Sequence, residues 1–258
     1  MNNLEIFNME GRVALVTGAS SYGIGSVGAK AIASCGAKVF LVARREDKLK
    51  EVAAAIEADG GTVGYYACDV AIEEDCKAAV EACIAQFGRL DIMVLSAGIP
   101  GLSVSGGWDA VFDTDNWRKV NGINLDGVFF MIKHGFAECA KGGVGSIIPI
   151  SSLAAIKAEG SPAYTSTKGA LRSLTHNLAK AFGPMGIRVN TVYPGMIDTD
   201  MTHGAVTYEA YINPVIAATP LGRVGTAEDI GWTIMFLASD ASSFITGQHF
   251  VVDGGKAC

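Results

Sequence analysis

Charge is scarce in this sequence: Lys, Arg, Asp and Glu make up 18% of its 258 residues, where about 25% is usual for a soluble domain. The net charge is −6 and no Lys/Arg tract occurs, so a nucleic-acid partner is not expected. Long hydrophobic runs are missing as well. No stretch approaches the ~18 continuous apolar residues of a membrane span, and the opening MNNLEIFNMEGR lacks the basic segment and apolar run of a signal peptide. A soluble, cytoplasmic protein with no membrane contact is expected. The six cysteines (Cys35, Cys68, Cys76, Cys83, Cys139, Cys258) include no Cys-x-x-Cys and have no histidine at metal-ligand spacing. They read as small buried hydrophobes in a reducing compartment, with no metal and no disulfide.

What is abundant is apolar surface and glycine. Hydrophobic residues reach 50%, enough for a large core and for faces buried between subunits. Glycine contributes 32 residues, where about 7% is average, which suits many tight β–α turns. From Arg12 onward short apolar runs alternate with helical patterns. Strands are expected at 13–17, 38–43, 62–67, 91–96, 145–150, 187–193 and 248–252. Helices are expected at 24–35, 46–59, 73–87, 115–141 (broken near Gly122), 162–183 and 227–239. That alternation predicts an α/β fold: a doubly wound, parallel, seven-stranded Rossmann-type sheet in a single domain spanning 1–258. Ligands of such sheets sit beyond the carboxyl ends of the strands, where two long connections, 98–114 and 195–226, emerge.

Three stretches carry chemistry. Thr17-Gly18-Ala19-Ser20-Ser21-Tyr22-Gly23-Ile24-Gly25 follows the first strand and opens a helix, so its backbone N–H groups can receive a pyrophosphate at the helix N-terminus. About 20 residues on, where an acid would hold the ribose 2′-hydroxyl of NAD, stand Ala43, Arg44 and Arg45, and a guanidinium fork suits the 2′-phosphate of NADP. Two solvated arginines before a helix would look the same. Tyr164 and Lys168, four residues apart, fall one turn apart on a helix that Ser161 can cap and Pro162 can open, with Leu171, Leu174, Leu178 and Ala181 continuing its apolar face. A lysine ammonium beside a phenol favours the phenolate, so the pair predicts a general acid/base with a lowered tyrosine pKa. A packed ring beside a snorkelling lysine has the same spacing.

In order along the chain, the Gly-rich turn, Asp69-Val70, Ser96-Ala97-Gly98, Asn124-Leu125, Ser151-Ser152, Tyr164/Lys168, Pro194-Gly195 and Val252-Asp253-Gly254-Gly255 resemble the motifs of the classical short-chain dehydrogenase/reductase family. The resemblance runs from Gly11 to Gly255. It implies reversible hydride transfer between a nicotinamide and a carbonyl or secondary alcohol. It assigns Tyr164 as proton donor to the nascent alkoxide, Lys168 to the nicotinamide ribose, Ser152 to the substrate oxygen, and Asn124 to a water linking Lys168 to solvent. The cofactor would lie along Gly18, Ser20, Ser21, Tyr22, Gly23, Ile24, Arg44, Arg45, Asp69, Val70, Ser96, Ala97, Gly98, Tyr164, Lys168, Pro194, Gly195, Ile197 and Thr199. NADP(H) is favoured and NAD is the alternative. A homodimer or homotetramer is implied, with the helices before and after the catalytic serine packed between subunits.

The sequence departs from the family's pattern in four places. Four residues, not three, separate Gly18 from Gly23; Tyr22 stands where NADP-preferring members often carry a base. Ser96 replaces the first asparagine of Asn-Ala-Gly, and the Ser152–Tyr164 interval is one residue short, which leaves Ser151 as an alternative. The segment 196–222 is expected to form a substrate lid. Met201, Val206, Tyr208, Tyr211, Ile212, Val215 and Ile216, facing Ile99, Leu102 and Trp108, would suit a bulky apolar alcohol or ketone of hydroxysteroid or bile-acid type. The alternative is a 3-oxoacyl-[acyl-carrier-protein] reductase, docking its acidic carrier on Lys133, Lys141, Lys157 and Arg172. A cofactor-binding regulator without turnover is a third reading.

Overall fold

In the computed structural model, which describes residues 5–102, 107–157 and 159–258, side chains alternate cleanly about a central parallel sheet. Strand β1 (Val13–Thr17) sends Ala14 and Val16 to one face and Val13 and Leu15 to the other, as the two-residue period of a strand requires. Both faces are covered. The chain continues through α1 (Ile24–Ala33), β2 (Lys38–Ala43), α2 (Glu46–Ala58), β3 (Val63–Ala67), α3 (Glu73–Phe87) and β4 (Ile92–Leu95). Next come α4 (Trp108–Val111), α5 (Thr114–Asn121), a π turn (Gly122–Asp126) and α6 (Gly127–Lys141). Then follow β5 (Gly145–Pro149), α7 (Ala154–Lys157), α8 (Pro162–Phe182), β6 (Ile187–Val189) and β7 (Thr191–Pro194). The last part holds β8 (Ile197–Asp198), α9 (His203–Val206), α10 (Glu209–Ala217), β9 (Gly225–Thr226), α11 (Ala227–Ala238) and β10 (His249–Val252).

The six-stranded parallel sheet has the order β3-β2-β1-β4-β5-β6, doubly wound, with the direction of winding reversing between β1 and β4. One apolar cluster packs α1, α2 and α11 on one face, and the other packs α3, α6 and α8 on the opposite face. α1 and α11 approach closely because each presents a glycine: a Cβ on Gly28 would stand 2.9 Å from Ile234, and one on Gly231 3.0 Å from Val27.

The expected seven-stranded sheet is corrected at one point. The run 187–193 is divided at Asn190, so β6 extends the sheet while β7 pairs with β10 in a separate two-stranded ladder, tied back by a bridge between Ile150 and Val192. The cause is a set of hydrogen bonds from distant residues. The buried Asn190 side chain accepts from the Gln248 N–H (3.0 Å) and donates to the Ile245 carbonyl (2.8 Å), while the Val189 N–H goes to Thr246 Oγ1. Removing Asn190 therefore strands two backbone groups. Asn190→Ala should lower the unfolding free energy by about 2–4 kcal/mol, measured by urea titration; a change under about 0.5 kcal/mol would show that the break is held by something else.

Candidate functional site

The carboxyl ends of β1, β2, β3, β4, β5 and β7 open onto one cleft of about 400 Å³. Gly18, Ser20, Ser21, Tyr22, Gly23 and Ile24 line it from the turn after β1, Arg44 and Arg45 from beyond β2, and Asp69 and Val70 from beyond β3. Ser96, Ala97 and Gly98 follow β4, Ser152 follows β5, Tyr164 and Lys168 come from α8, and Pro194, Gly195, Ile197 and Thr199 come after β7. Of the predicted catalytic and cofactor-binding residues, Asn124 alone does not line the cleft. It lies fully buried behind it.

The helix that carries Tyr164 and Lys168 starts where local chemistry says it should. Ser161 is its N-cap, accepting from the Tyr164 N–H at 3.3 Å, with Pro162 in the first turn. The same hydroxyl donates to the Pro100 carbonyl (3.1 Å), which ties the helix start to the loop after β4. Lys168 is held at both ends. Its ammonium donates to the Ile150 carbonyl (2.8 Å), and its own carbonyl accepts from Ser151 Oγ (2.7 Å). Ser151 is thereby buried and engaged with the helix, while Ser152, whose Oγ accepts from the Ala154 N–H, stands beside the Tyr164 hydroxyl and draws its pKa down. Of the two serines, Ser152 is the one that meets the tyrosine.

Asn124 sits in the π turn that interrupts the α5–α6 helix, as the expected break near Gly122 foresaw. Its amide clamps Ile99 through both backbone groups, accepting from the N–H (2.9 Å) and donating to the carbonyl (3.0 Å), and a second donor reaches Thr167 Oγ1 (3.3 Å). Thr167 in turn donates to the Tyr164 carbonyl (2.8 Å). Gly98 is squeezed between these groups: a Cβ there would lie 3.3 Å from Lys168 Nζ and 3.4 Å from Asn124 Oδ1.

The electrostatics correct one expectation. Burial is the leading influence on Tyr164 and pushes its hydroxyl above the usual tyrosine pKa, opposed only by the neighbouring Ser152 hydroxyl. The expected lowering by Lys168 is not what sets it, although the ammonium stands 5.8 Å from the ring centre. Lys168 is only 4% exposed, and desolvation lowers its pKa to about 8. The pair is thus one that resists charge of either sign.

At the nucleotide end, Gly18 adopts φ +71°, and a Cβ on it would meet the Ala97 N at 2.8 Å, so only glycine fits. A Cβ on Gly25 would strike the Gly18 carbonyl at 2.6 Å. The extra residue of the turn is absorbed by Tyr22, half-exposed, whose hydroxyl reaches Glu228 (3.2 Å) while its carbonyl accepts from the Asp200 N–H (3.0 Å). Ser26 Oγ closes the turn on the Ser21 carbonyl at 2.6 Å. Arg45 donates to the Ser20 carbonyl (3.2 Å), whereas Arg44 is exposed and makes no ion pair among the described residues. With Ser96 in place of asparagine, the end of β4 is braced by Thr17 Oγ1, which accepts from the N–H groups of both Ser96 and Ala97 (3.0 and 3.1 Å). Asp69 Oδ1 accepts from the Ala71 N–H, an Asx-type turn.

Sequence reasoning missed several cleft residues. Gly25 was readable as the end of the glycine turn; Cys68, Ile123 and Ile150 had no signal beyond apolar patterning. Thr202, which holds Thr199 by bonds to its N–H and hydroxyl (both 3.0 Å), had none. The apolar wall is corrected. Ile99 and Met201 line the cleft, but Leu102, Tyr208 and Tyr211 are exposed away from it, and Ile212 is buried on α10. The side chain of Trp108 and residues 103–106 lie outside the described residues. Among the described residues no cluster of three or more metal-ligating side chains occurs, and no helix is long and apolar enough to cross a membrane.

The fold and cleft define a nucleotide-binding oxidoreductase of the Rossmann class. A family model described as enoyl-(acyl carrier protein) reductase matches residues 18–257. A short chain dehydrogenase/reductase of Aspergillus oryzae is 37% identical, with 98% of this chain and 97% of the relative covered. A 7alpha-hydroxysteroid dehydrogenase of Clostridium sardiniense is 35% identical over 96% of this chain and 94% of the relative. The crystal structure of a gluconate 5-dehydrogenase from Burkholderia cenocepacia, in complex with NADP and tartrate, superposes with a TM-score of 0.91 at 32% identity, covering 99% of this chain and 98% of that one. The chain belongs to the short-chain dehydrogenase/reductase family, and it is an oxidoreductase acting on alcohol and ketone groups.

The buried lysine has a measurable signature. Lys168 binds its proton more weakly folded (about 8) than unfolded (10.5), so the charged side chain costs the native state on the order of 3 kcal/mol below about pH 8, a cost that fades as pH rises toward 10.5. Relative to Lys168→Met, the wild type should gain about that much stability between pH 8 and 10.5 in urea unfolding. Parallel stability curves would contradict a depressed lysine.

Proposed function

We propose that the protein is an NADP(H)-dependent oxidoreductase that interconverts a secondary alcohol and a ketone on a bulky, apolar, cyclic substrate of hydroxysteroid type. The observation that carries the reading is the meeting of Ser152, Tyr164 and Lys168 at the floor of a cleft whose other end offers Arg44, which makes no ion pair among the described residues. The residues present fit a dinucleotide. Gly23, Ile24 and Gly25 line the cleft at the start of α1, where a helix leaves its first N–H groups without internal partners, and a Cβ on Gly23 would meet nothing closer than 3.8 Å. The bound cofactor supplies or accepts the hydride.

The chain's own groups handle the proton and the orientation. The Ser152 hydroxyl directs the substrate oxygen to the Tyr164 hydroxyl, which gives its proton in reduction and takes one in oxidation. A phenol held above its usual pKa remains protonated throughout the neutral range, so the free site holds the proton that ketone reduction needs. Lys168, fixed by Ile150, sets the ribose end of the cofactor beside Tyr164, and Asn124 holds the Ile99 backbone and, through Thr167, the tyrosine's helix turn. Arg44 meets the 2′-phosphate, with Arg45 fastened to the glycine turn beside it.

Ile99 and Met201 favour an apolar ring at the substrate end, in keeping with the hydroxysteroid relative. An acyl-carrier substrate is less well served. Of the four candidate docking cations, Lys133 is paired with Glu73 and Lys141 with Glu138. A homo-oligomer is part of the proposal, since Trp117 on α5 and Phe129 on α6 expose their rings.

NADPH oxidation followed with 3- and 7-oxo-steroids, acetoacetyl thioesters and keto-sugar acids tests the substrate. Turnover confined to thioesters or sugar acids would refute the cyclic-substrate proposal. Tyr164→Phe should bind NADPH normally and lose at least ~100-fold in kcat; near-normal turnover would remove Tyr164 from its role. Arg44→Ala should raise the KM for NADPH by about 10- to 100-fold and leave that for NADH nearly unchanged, the loss of one charge-assisted phosphate contact. Equal changes would show that Arg44 does not read the phosphate.

A further inference from the structure

Folding brings together two histidines that the sequence keeps 73 residues apart. His176 on α8 and His249 at the start of β10 meet with their Nε2 atoms 2.8 Å from each other. Their ring centres are 4.6 Å apart and the planes are tilted by 48°. A straight N–H···N hydrogen bond of this length would hold the centres about 5.1 Å apart, since each ring adds about 1.15 Å beyond its nitrogen. The observed centres are closer, so the two ring axes are not collinear. Two rings bent symmetrically to one side at these distances would have axes that meet at about 100°, about 1.8 Å from each nitrogen, close to the ~2.0 Å of a metal–imidazole bond. A cis pair at 90° on a tetragonal ion separates its nitrogens by about 2.8 Å, whereas the tetrahedral angle of zinc asks for about 3.3 Å.

We propose that His176 and His249 form a two-imidazole binding site for a late first-row divalent cation of tetragonal preference, Ni²⁺ or Cu²⁺. The site lies outside the catalytic cleft. The His249 ring is fixed edge-on against the buried Tyr193 ring (5.4 Å, 79°), so one ligand is preorganised.

Three features limit the affinity. Arg172, one turn before His176, opposes added positive charge, and among the described residues no third metal-ligating side chain joins the pair, so water completes the coordination sphere. Ligation through Nε2 also places the His249 proton on Nδ1, which is buried with no partner, like the Tyr193 hydroxyl. Binding in the micromolar range is the expectation for such a pair. A bound ion would fasten α8, two turns beyond Lys168, to the strand that pairs with β7.

Equilibrium dialysis of the full chain, carrying no added histidines, against Ni²⁺ is the test. One ion per chain is expected, with binding weakened at least tenfold in both His176→Ala and His176→Gln. The glutamine variant keeps a hydrogen-bonding partner for His249 and should melt with the wild type in the absence of metal. Ni²⁺ should raise the melting temperature of the wild type and not of the variant. No uptake by the wild type, or equal uptake by the glutamine variant, would show a proton-sharing pair only and overturn the proposal.

Discussion

The structure depends on one costly placement, the ammonium of Lys168 held almost dry against the carbonyl of Ile150. A buried charge with one neutral partner is unfavourable unless the surroundings fix it, and here they do. Ser151 takes the lysine's own carbonyl, Gly98 leaves room for the side chain to pass, and Asn124 and Thr167 lock the turn of α8 on which Tyr164 stands. The same dryness raises the tyrosine's pKa. Two groups that each resist ionisation, one turn apart, form a site in which proton position is controlled by what is bound beside them.

Much of this was legible in the sequence because local chemistry dictates it. The period of the apolar runs fixes strands and helices, Ser161-Pro162 announces a helix start, and Gly18 stands where a positive φ and a close backbone approach admit no side chain. What escaped is what depends on distant partners. The break at Asn190 is written in hydrogen bonds to residues 55 and 58 positions away, and the brace from Thr17 reaches across to another strand. The tyrosine's proton affinity was misjudged because spacing reveals the lysine and not the desolvation around it. The apolar residues of the segment 196–222 were visible, but not the fact that most of them lie outside the cleft.

The nucleotide end shows how a departure from a pattern is absorbed. An extra residue in the glycine turn pushes Tyr22 outward, and Glu228 at the start of α11 receives its hydroxyl. Ser20 is then positioned to hold Arg45, which leaves Arg44 as a cation at the cleft's rim with neither an ion pair nor a side-chain hydrogen bond among the described residues. The turn's length and the two arginines thus work as one device, which neither feature suggested when taken alone.

The most direct test of the account is a titration of Tyr164 itself, followed by the ¹³C shift of its labelled ring carbon in the free protein and assigned with Tyr164→Phe. Burial as the controlling influence predicts a tyrosine that stays protonated through neutral pH and titrates above the ordinary range near 10. A Tyr164 that loses its proton near neutrality would show that the lysine, and not the dry floor of the cleft, governs the site.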